Sequence, residues 1–264
     1  MKKEQLATFT DDFVFGTTLR RNKKLCIRLI EMILDIKIKD IEYVGTQKSI
    51  DMYLDGKGVR LDVYVDDGTG TVYDLEMQTK ISADLPRRSR YYQSMIDQEL
   101  IESGGNYRDL KRSFVIFICT KDPIGEGRSI YRFEKLDVYD KECKLNDGTV
   151  TVFLNAKGKR QGLDPELGNF LDYLTDNIPK DEFTQELDEN VKDINKDPQW
   201  RKQYMDLAYK MKEIEWESLE KGKIASLISL VRKHKINIKS AAEELQISVD
   251  EFKQLMINHT TEIN

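Results

Sequence analysis

Two acidic residues, Asp62 and Glu76, flank a turn at positions that bring their carboxylates face to face. The turn covers residues 66–70, between two segments in which apolar and polar residues alternate. With Thr69 as the midpoint, Asp62 lies seven positions before it and Glu76 seven positions after it, so an antiparallel hairpin places them opposite each other. Two like charges on directly opposed residues are destabilising. The pattern therefore predicts a site for a hard divalent cation such as Mg²⁺, and the alternative is that these acids line a solvated sheet face.

The other residues of the hairpin support this register. Every pair is either polar or apolar, and a slip of one residue would move each side chain to the other face of the sheet. The polar pairs are Arg60 with Gln78 and Tyr64 with Asp74, and the apolar pairs are Leu61 with Met77, Val63 with Leu75 and Val65 with Tyr73.

The composition narrows the chemistry that this chain can perform. Its 264 residues include only two histidines, His234 and His259, so Ser-His-Asp or Cys-His catalysis is excluded from the first 230 residues. Histidine-rich zinc sites are disfavoured for the same reason. The 3 cysteines are scattered and form no disulfide framework, which predicts a reducing, cytoplasmic location. Catalysis then depends on carboxylates, lysines or a hard metal ion.

The charge and hydropathy patterns exclude a membrane protein. The formal net charge is -5 and 34% of the residues are charged. The longest uninterrupted apolar run, residues 114–119, is far shorter than the roughly 20 residues that span a bilayer. We therefore expect no membrane partner.

The periodicity of the first part of the chain predicts an α/β fold that positions the hairpin. Apolar residues recur at helical spacing over 9–36, alternate with polar residues over about 46–80, and return to helical spacing over 86–103. Residues 113–120 have the composition of a buried strand, and further short strands are expected near 130–136 and 149–154. This order of elements predicts a domain over 1–160.

The remainder of the chain, 161–264, is predicted to be helical. Trp200 and Trp216 are expected to anchor helix packing there. Two segments, 240–243 and 248–251, fit the capping box that starts a helix. They predict a pair of short helices over 236–258, which is either a helix-turn-helix or a packing hairpin that mediates homo-oligomerisation.

The hairpin also carries a family resemblance. Leu61-Asp62 followed by Glu76-Met77-Gln78 resembles the signature of the PD-(D/E)XK nucleases, and the similarity is greatest to the PD-(D/E)XK nuclease family transposases, also called recombination-promoting nucleases. Resemblance extends to segments 12–15, 27–36, 88–94 and 110–119, with Gly104 and Tyr107. It implies a restriction-endonuclease-like mixed sheet flanked by helices. It also implies a metal-dependent endonuclease that hydrolyses phosphodiester bonds of DNA.

Roles for individual residues follow from this resemblance. Asp62 and Glu76, with the backbone carbonyl of Met77, are expected to coordinate Mg²⁺ or another divalent cation such as Mn²⁺ or Ca²⁺. Gln78 stands where the superfamily usually has Lys and is expected to orient the attacking water. Glu31 is expected to supply an additional acid, unless it is an exposed acid of its helix. The absence of the lysine charge leaves two alternatives, a DNA-binding or interaction protein with little catalysis and a purely structural metal site.

Basic residues near the signature are candidates for binding DNA. Arg88 and Tyr92 are neighbours on one helix face, and Arg90 lies close by. Arg88 is expected to contact a phosphate or to form an ion pair with Asp84 or a sheet-face acid. The basic stretch over 20–28 either follows the DNA backbone or forms a solvated helix face.

Overall fold

The computed structural model of this protein describes residues 6–44, 49–50, 59–80, 82–101 and 104–261. Parts of the segments expected at 46–80 and 86–103 lie outside these residues. The chain forms two compact units, residues 1–197 and 198–264. The first unit therefore extends beyond the boundary that we expected at residue 160.

The first unit begins with two helices where the sequence pattern suggested one. Helix α1 is Asp12–Arg21 and helix α2 is Lys23–Leu34. Asn22 separates them with φ of -124° and ψ of 89°, and its side chain accepts a hydrogen bond from the backbone N–H of Leu25. An asparagine that caps the second helix in this way interrupts a continuous apolar stripe.

A mixed six-stranded sheet forms the centre of the first unit, in the order β1-β4-β5-β6-β8-β7. Its parallel core is β5, β6 and β8, and the other pairings are antiparallel. Two short strands, β2 and β3, form a separate antiparallel pair. The strands are β1 (Glu42–Tyr43), β2 (Ser49–Ile50), β3 (Val59–Arg60), β4 (Val63–Asp66), β5 (Thr71–Gln78), β6 (Arg112–Cys119), β7 (Ile130–Phe133) and β8 (Thr149–Asn155). The α/β class and the three later strands are confirmed.

Helix α3, Leu85–Leu100, covers one face of the sheet over the signature hairpin. It belongs to a core cluster that includes Leu85, Ile96, Tyr64 and Phe117. A short 3₁₀ helix, Tyr107–Asp109, follows before β6. Because α3 excludes water from this face, strand β5 is buried on both sides.

Two helices after the sheet, α4 (Pro165–Asp176) and α5 (Glu182–Lys196), belong to the first unit. Phe170 of α4 packs edge-on against Phe9 and Phe183. Near the end of α5, the side chain of Asn195 exchanges hydrogen bonds with the backbone of Ala7 at 3.0 and 2.8 Å. These contacts to the N-terminal segment explain why the first unit continues to residue 197.

The second unit consists of helices α6 (Pro198–Arg232), α7 (Ile238–Leu245) and α8 (Val249–Thr261). The last turns of α6 pack with α7 and α8 around Ile228, Ala242 and Phe252. The pair of helices expected over 236–258 is thus present. Throughout the described ranges, none of the helices is both long enough and apolar enough to cross a membrane.

The two short helices begin with different caps. Ser248 and Glu251 form the expected capping box, in which the Glu251 N–H donates to Ser248 Oγ and the Ser248 N–H donates to Glu251 Oε2. At α7 the expected cap was wrong. The helix starts earlier, because Asn237 Oδ1 accepts a hydrogen bond from the backbone N–H of Ser240 at 2.8 Å.

Replacing Asn237 with Ala is expected to destabilise the second unit by about 1 kcal/mol, the usual cost of losing an N-cap side chain. Urea denaturation followed at the amide protons of α7 by hydrogen exchange measures this loss. Ser240→Ala is the matched control, and it is expected to change stability by less than about 0.5 kcal/mol because Ser240 is exposed and only its backbone is capped. Equal effects of the two substitutions would show that Asn237 is not the cap.

Candidate functional site

The hairpin that carries the signature has the predicted register over its strands. Val63 pairs with Leu75, Tyr64 with Asp74 and Val65 with Tyr73. The ladder ends at Val63, so the expected pairs Leu61 with Met77 and Asp62 with Glu76 lie beyond it. The expected pairing of Arg60 with Gln78 is wrong, since Arg60 pairs with Ser49. The chain therefore leaves β5 at Asp62, whose backbone N–H and carbonyl form hydrogen bonds with the side chains of Glu76 and Arg20.

Asp62 and Glu76 contact each other through side-chain to backbone hydrogen bonds. The backbone N–H of Asp62 donates to Glu76 Oε1 at 2.9 Å. The backbone N–H of Met77 donates to Asp62 Oδ2 at 3.1 Å. Each carboxylate is thus oriented by the peptide segment that carries the other. The structure brings the two acids together as the sequence predicted.

The acids on this hairpin do not line a solvated face. Asp74 is 0% exposed and Glu76 is 2% exposed, because α3 covers this side of β5. Burial, and then the negative charge of Asp62, raises the pKa of Asp74 well above its usual range, and a hydrogen bond with the side chain of Glu76 opposes the rise. Burial raises the pKa of Glu76 as well, followed by the charges of Asp74 and Asp62, and the Asp62 N–H and Arg88 oppose the rise. The solvated-face alternative is therefore wrong for Glu76 and Asp74, while Asp62 is half-buried.

Several buried polar atoms around Asp74 lack partners. Within the described ranges, neither carboxylate oxygen of Asp74 meets an N–H or O–H donor apart from the neighbouring carboxyl of Glu76, and Tyr64 Oη and Gln93 Oε1 also lack partners. Native proteins rarely leave such atoms unpaired, because each one loses its hydration without compensation. The interior beside Glu76 thus has negative and polar groups in excess of the donors that could satisfy them.

This chemistry fits a bound divalent cation. Carboxylate oxygens are the ligands that Mg²⁺ prefers. A cation here offsets the charge repulsion that, after burial, raises the pKa of Asp74 and Glu76. In the described part of the chain, no group of three or more His, Cys, Asp or Glu side chains is arranged to hold a metal ion. A cation here must therefore take its remaining ligands from water, backbone or substrate, as Mg²⁺ often does.

Gln78 is held by a residue of helix α3. Arg88 Nη1 donates to Gln78 Oε1 at 3.0 Å, and Arg88 Nη2 donates to the hydroxyl of Tyr92 at 3.1 Å. The guanidinium carbon also lies 5.5 Å from the centre of the Tyr92 ring. The spacing of Arg88 and Tyr92 predicted a shared helix face. The contact with Gln78 was not foreseen, because it joins two elements whose packing the sequence pattern does not define.

Arg20 of helix α1 also reaches the site. Its Nη1 donates to the backbone carbonyl of Asp62 at 2.6 Å. The guanidinium lies over Gly16, where an added Cβ would approach Nη1 to 2.7 Å. We expected Arg20 to belong to a basic stretch facing DNA or solvent. In the sequence, this contact is marked only by a glycine one helical turn before the arginine, which leaves room for the half-buried guanidinium.

Glu31 lies in a different environment from the one expected. It belongs to α2, and its Oε1 accepts a hydrogen bond from the backbone N–H of Ile38 at 2.8 Å. Its Oε2 accepts a hydrogen bond from Lys37 Nζ at 3.2 Å. The side chain is only 18% exposed, so it is not a simple surface acid. Both oxygens are used by the loop that follows its own helix.

Some of the remaining basic residues form ion pairs within the chain, and others are exposed. Lys23 pairs with Asp40 at 2.6 Å, and Arg28 pairs with Glu166. Exposed positions are held by Arg90 of α3 and by Arg21 and Lys24 of the first two helices. The basic stretch is thus neither one continuous DNA track nor one uniform solvated face.

A family comparison agrees with this geometry. The model described as PD-(D/E)XK nuclease family transposase matches residues 10–182. The match includes the hairpin with Asp62 and Glu76, helix α3, and the parallel core of the sheet. Searches of curated proteins and of solved structures found no match. The family resemblance read from the sequence is confirmed.

Proposed function

Because the chain belongs to the PD-(D/E)XK nuclease family transposases, whose restriction-endonuclease-like fold it shares, we propose that it is a Mg²⁺-dependent DNA endonuclease. Membership of this family indicates nuclease or transposase function. The observation that carries the proposal is the joint placement of Asp62 and Glu76, whose carboxylates are fixed by two hydrogen bonds to backbone N–H groups. We place its action in recombination or in the movement of genetic elements, with DNA as the partner.

The cation would be held by Asp62, Glu76 and the backbone carbonyl of Met77. Mg²⁺ is the first choice, and Mn²⁺ or Ca²⁺ could occupy the same oxygens. When bound, such a cation lowers the pKa of a coordinated water and neutralises charge on the scissile phosphate. Asp62 and Glu76 hold their carboxylates in place before substrate arrives, which avoids reorganisation during the reaction.

Gln78 would orient the attacking water. Arg88 occupies the carbonyl oxygen of the Gln78 amide, so the amide nitrogen is the end that remains to donate hydrogen bonds. This arrangement sets the direction of the donor without adding a charge at residue 78. Arg88 supplies positive charge nearby and opposes the rise in the pKa of Glu76. Glu31 is left outside the proposed site, because both of its oxygens serve the loop after α2.

Nicking of supercoiled plasmid during a Mg²⁺ titration tests the proposal directly. We expect nicked and linear DNA to accumulate with added Mg²⁺ and to be absent in EDTA. Filter binding with the same plasmid separates cleavage from DNA affinity. Cleavage that is equally fast in EDTA, or a chain that neither binds nor cleaves DNA, would contradict the proposal.

A second candidate function is DNA binding with little catalysis. The feature that favours it is Gln78, since an amide cannot replace the lysine charge that the superfamily usually places there. In that case DNA is bound with Mg²⁺ present and remains intact. A purely structural metal site gives a third result, in which Mg²⁺ raises the melting temperature without cleavage or DNA binding.

The Arg88→Met variant is expected to slow cleavage by roughly 10- to 100-fold, the usual effect of removing a residue that orients a catalytic group. Met keeps the apolar stem of the side chain and removes both hydrogen bonds. Arg88→Lys is expected to fail as a rescue, because one ammonium group cannot replace the planar fork that holds Gln78 and Tyr92.

Single-turnover cleavage rates and DNA affinity should be measured for both variants. The matched control is Arg87→Met, since Arg87 is the exposed neighbour on the same helix. Full activity of Arg88→Lys would indicate that Arg88 acts through its charge on the phosphate and not through Gln78.

The thiols are consistent with action in the cytoplasm, which we propose as the location. Cys26 and Cys119 are free and buried, and Cys143 is free and exposed. Burial raises the pKa of the Cys26 and Cys119 thiols to about 12, so neither is a reactive thiolate at neutral pH.

A further inference from the structure

The long helix α6 carries an exposed apolar stripe. Met205, Tyr209, Trp216 and Leu219 are each between 57% and 71% exposed. Their spacings of four, seven and three residues place them on one face of an α-helix. We expected Trp216 to anchor helix packing, yet its side chain is 68% exposed within this chain. Four large apolar side chains in one line form a contiguous apolar patch. Such patches mark interaction sites, whereas single exposed apolar residues are common on any surface.

The stripe can pack against the same stripe of a second copy when the two α6 helices run antiparallel. If a second α6 lies antiparallel with the two-fold axis between residues 212 and 213, position 209 faces position 216 of the other copy. In the same register position 205 lies opposite 219 and 220. Tyr209 thus stacks near Trp216, and Met205 packs near Leu219. A pairing in which each patch meets its own image is the geometry of a closed two-fold dimer.

The charges of α6 also favour the antiparallel direction. In the sequence, residues 201–212 carry four basic side chains and one acidic side chain, whereas residues 213–220 carry four glutamates and no basic residue. An antiparallel pair places the basic segment of each copy along the acidic segment of the other. At the centre, Lys212 faces Glu213 of the other copy, and both side chains are exposed within one chain. A parallel pair would instead align like charges.

We propose that the exposed stripe of α6 is an interface with a second copy of this chain, packed antiparallel about residues 212 and 213. This goes beyond nuclease activity and gives a specific form to the homo-oligomer that the sequence suggested. The site on each first unit then works within a dimer.

Sedimentation velocity of the full chain across the micromolar range tests the assembly. The expected mass at high concentration is twice the 30.8 kDa of one chain. Trp216→Glu is expected to weaken self-association by at least about 10-fold, because it places a charge against an aromatic ring in the core of the interface. Ser218→Glu is the matched control. It adds the same charge to an exposed position on another face of the same helix and is expected to leave the dimer intact.

Cross-linking of the full-length chain tests the direction. In a background with the exposed Cys143 changed to Ser, Glu213→Cys is expected to link two copies through a short bis-maleimide. Met205→Cys is not, because antiparallel packing separates the two 205 positions by about 22 Å along the helices. Equal cross-linking at both positions would overturn the antiparallel arrangement. A monomer at every concentration would overturn the interface itself and leave the stripe to a different partner.

Discussion

In the Asp62→Asn variant, the rate of Mg²⁺-dependent DNA cleavage is expected to fall by more than about 100-fold. A loss of this size exceeds the usual effect of substituting a residue that only hydrogen-bonds to a metal ligand. The amide oxygen of Asn can still accept the hydrogen bond from the Met77 N–H. What disappears is the negative charge that would hold the cation beside Glu76. The effect should therefore fall on metal affinity and cleavage rather than on folding. Plasmid nicking and Mn²⁺ calorimetry measure these two quantities.

Two controls define this result. Asp193→Asn makes the same chemical change at an exposed acid of α5 and is expected to leave cleavage unchanged. Asp62→Ala removes the hydrogen-bond acceptor as well, so it adds a loss of stability to the loss of activity. Wild-type cleavage and wild-type metal affinity in Asp62→Asn would remove this residue from the site. Retained metal affinity with lost cleavage would give it a different role.

The metal-free protein is expected to lose stability as the pH rises above about 4, and Asp74→Asn to reduce that loss. The pKa values of Asp74 and Glu76 in the folded chain lie well above the usual 3.8 and 4.5, chiefly through burial. The folded state therefore binds the protons of these two carboxyl groups more tightly than the unfolded state does. The resulting stabilisation is fully present below the usual pKa values and is lost as the pH rises through the folded ones.

Urea denaturation in EDTA from pH 4 to pH 8 measures this dependence. Asp74→Asn removes one of the two groups and one of the repelling charges, so its free energy of unfolding should fall less steeply and exceed that of the wild type at neutral pH. Added Mg²⁺ should stabilise the wild type at neutral pH, because binding to the folded state alone shifts the folding equilibrium. If the free energy of unfolding depends on pH identically in the wild type, Asp74→Asn and the exposed control Asp193→Asn, then Asp74 and Glu76 are not the source of the pH dependence.

The register of the hairpin was predictable because its alternation of apolar and polar residues has a period of two on both sides of the turn. The end of the ladder was not predictable. The alternation of apolar and polar residues continues without a break through Leu61 and Arg60. The chain nevertheless turns away from β5 at Asp62, and Arg60 pairs with Ser49. No local preference marks that exit, because it depends on which strand is available beyond the hairpin.

The contacts that complete the site depend on long-range packing. Arg20 reaches Asp62 across 42 residues of sequence, and Arg88 meets Gln78 only once α3 lies on the sheet. Helical periodicity located both arginines on helices but could not show which neighbour each helix covers. Because α3 covers this side of the sheet, Asp74 is a fully buried acid beside Glu76 and not a surface acid.

The exchange of hydrogen bonds between Asp62 and the segment of Glu76 has a consequence for how the site can vary. Each acid uses the peptide group beside the other as its support, so a shorter or longer side chain at one position withdraws a support from both. The effects of substitutions at 62 and 76 should therefore fall short of their sum in a double-mutant cycle. We therefore expect a change in side-chain length at either position to be tolerated only when the other position changes with it.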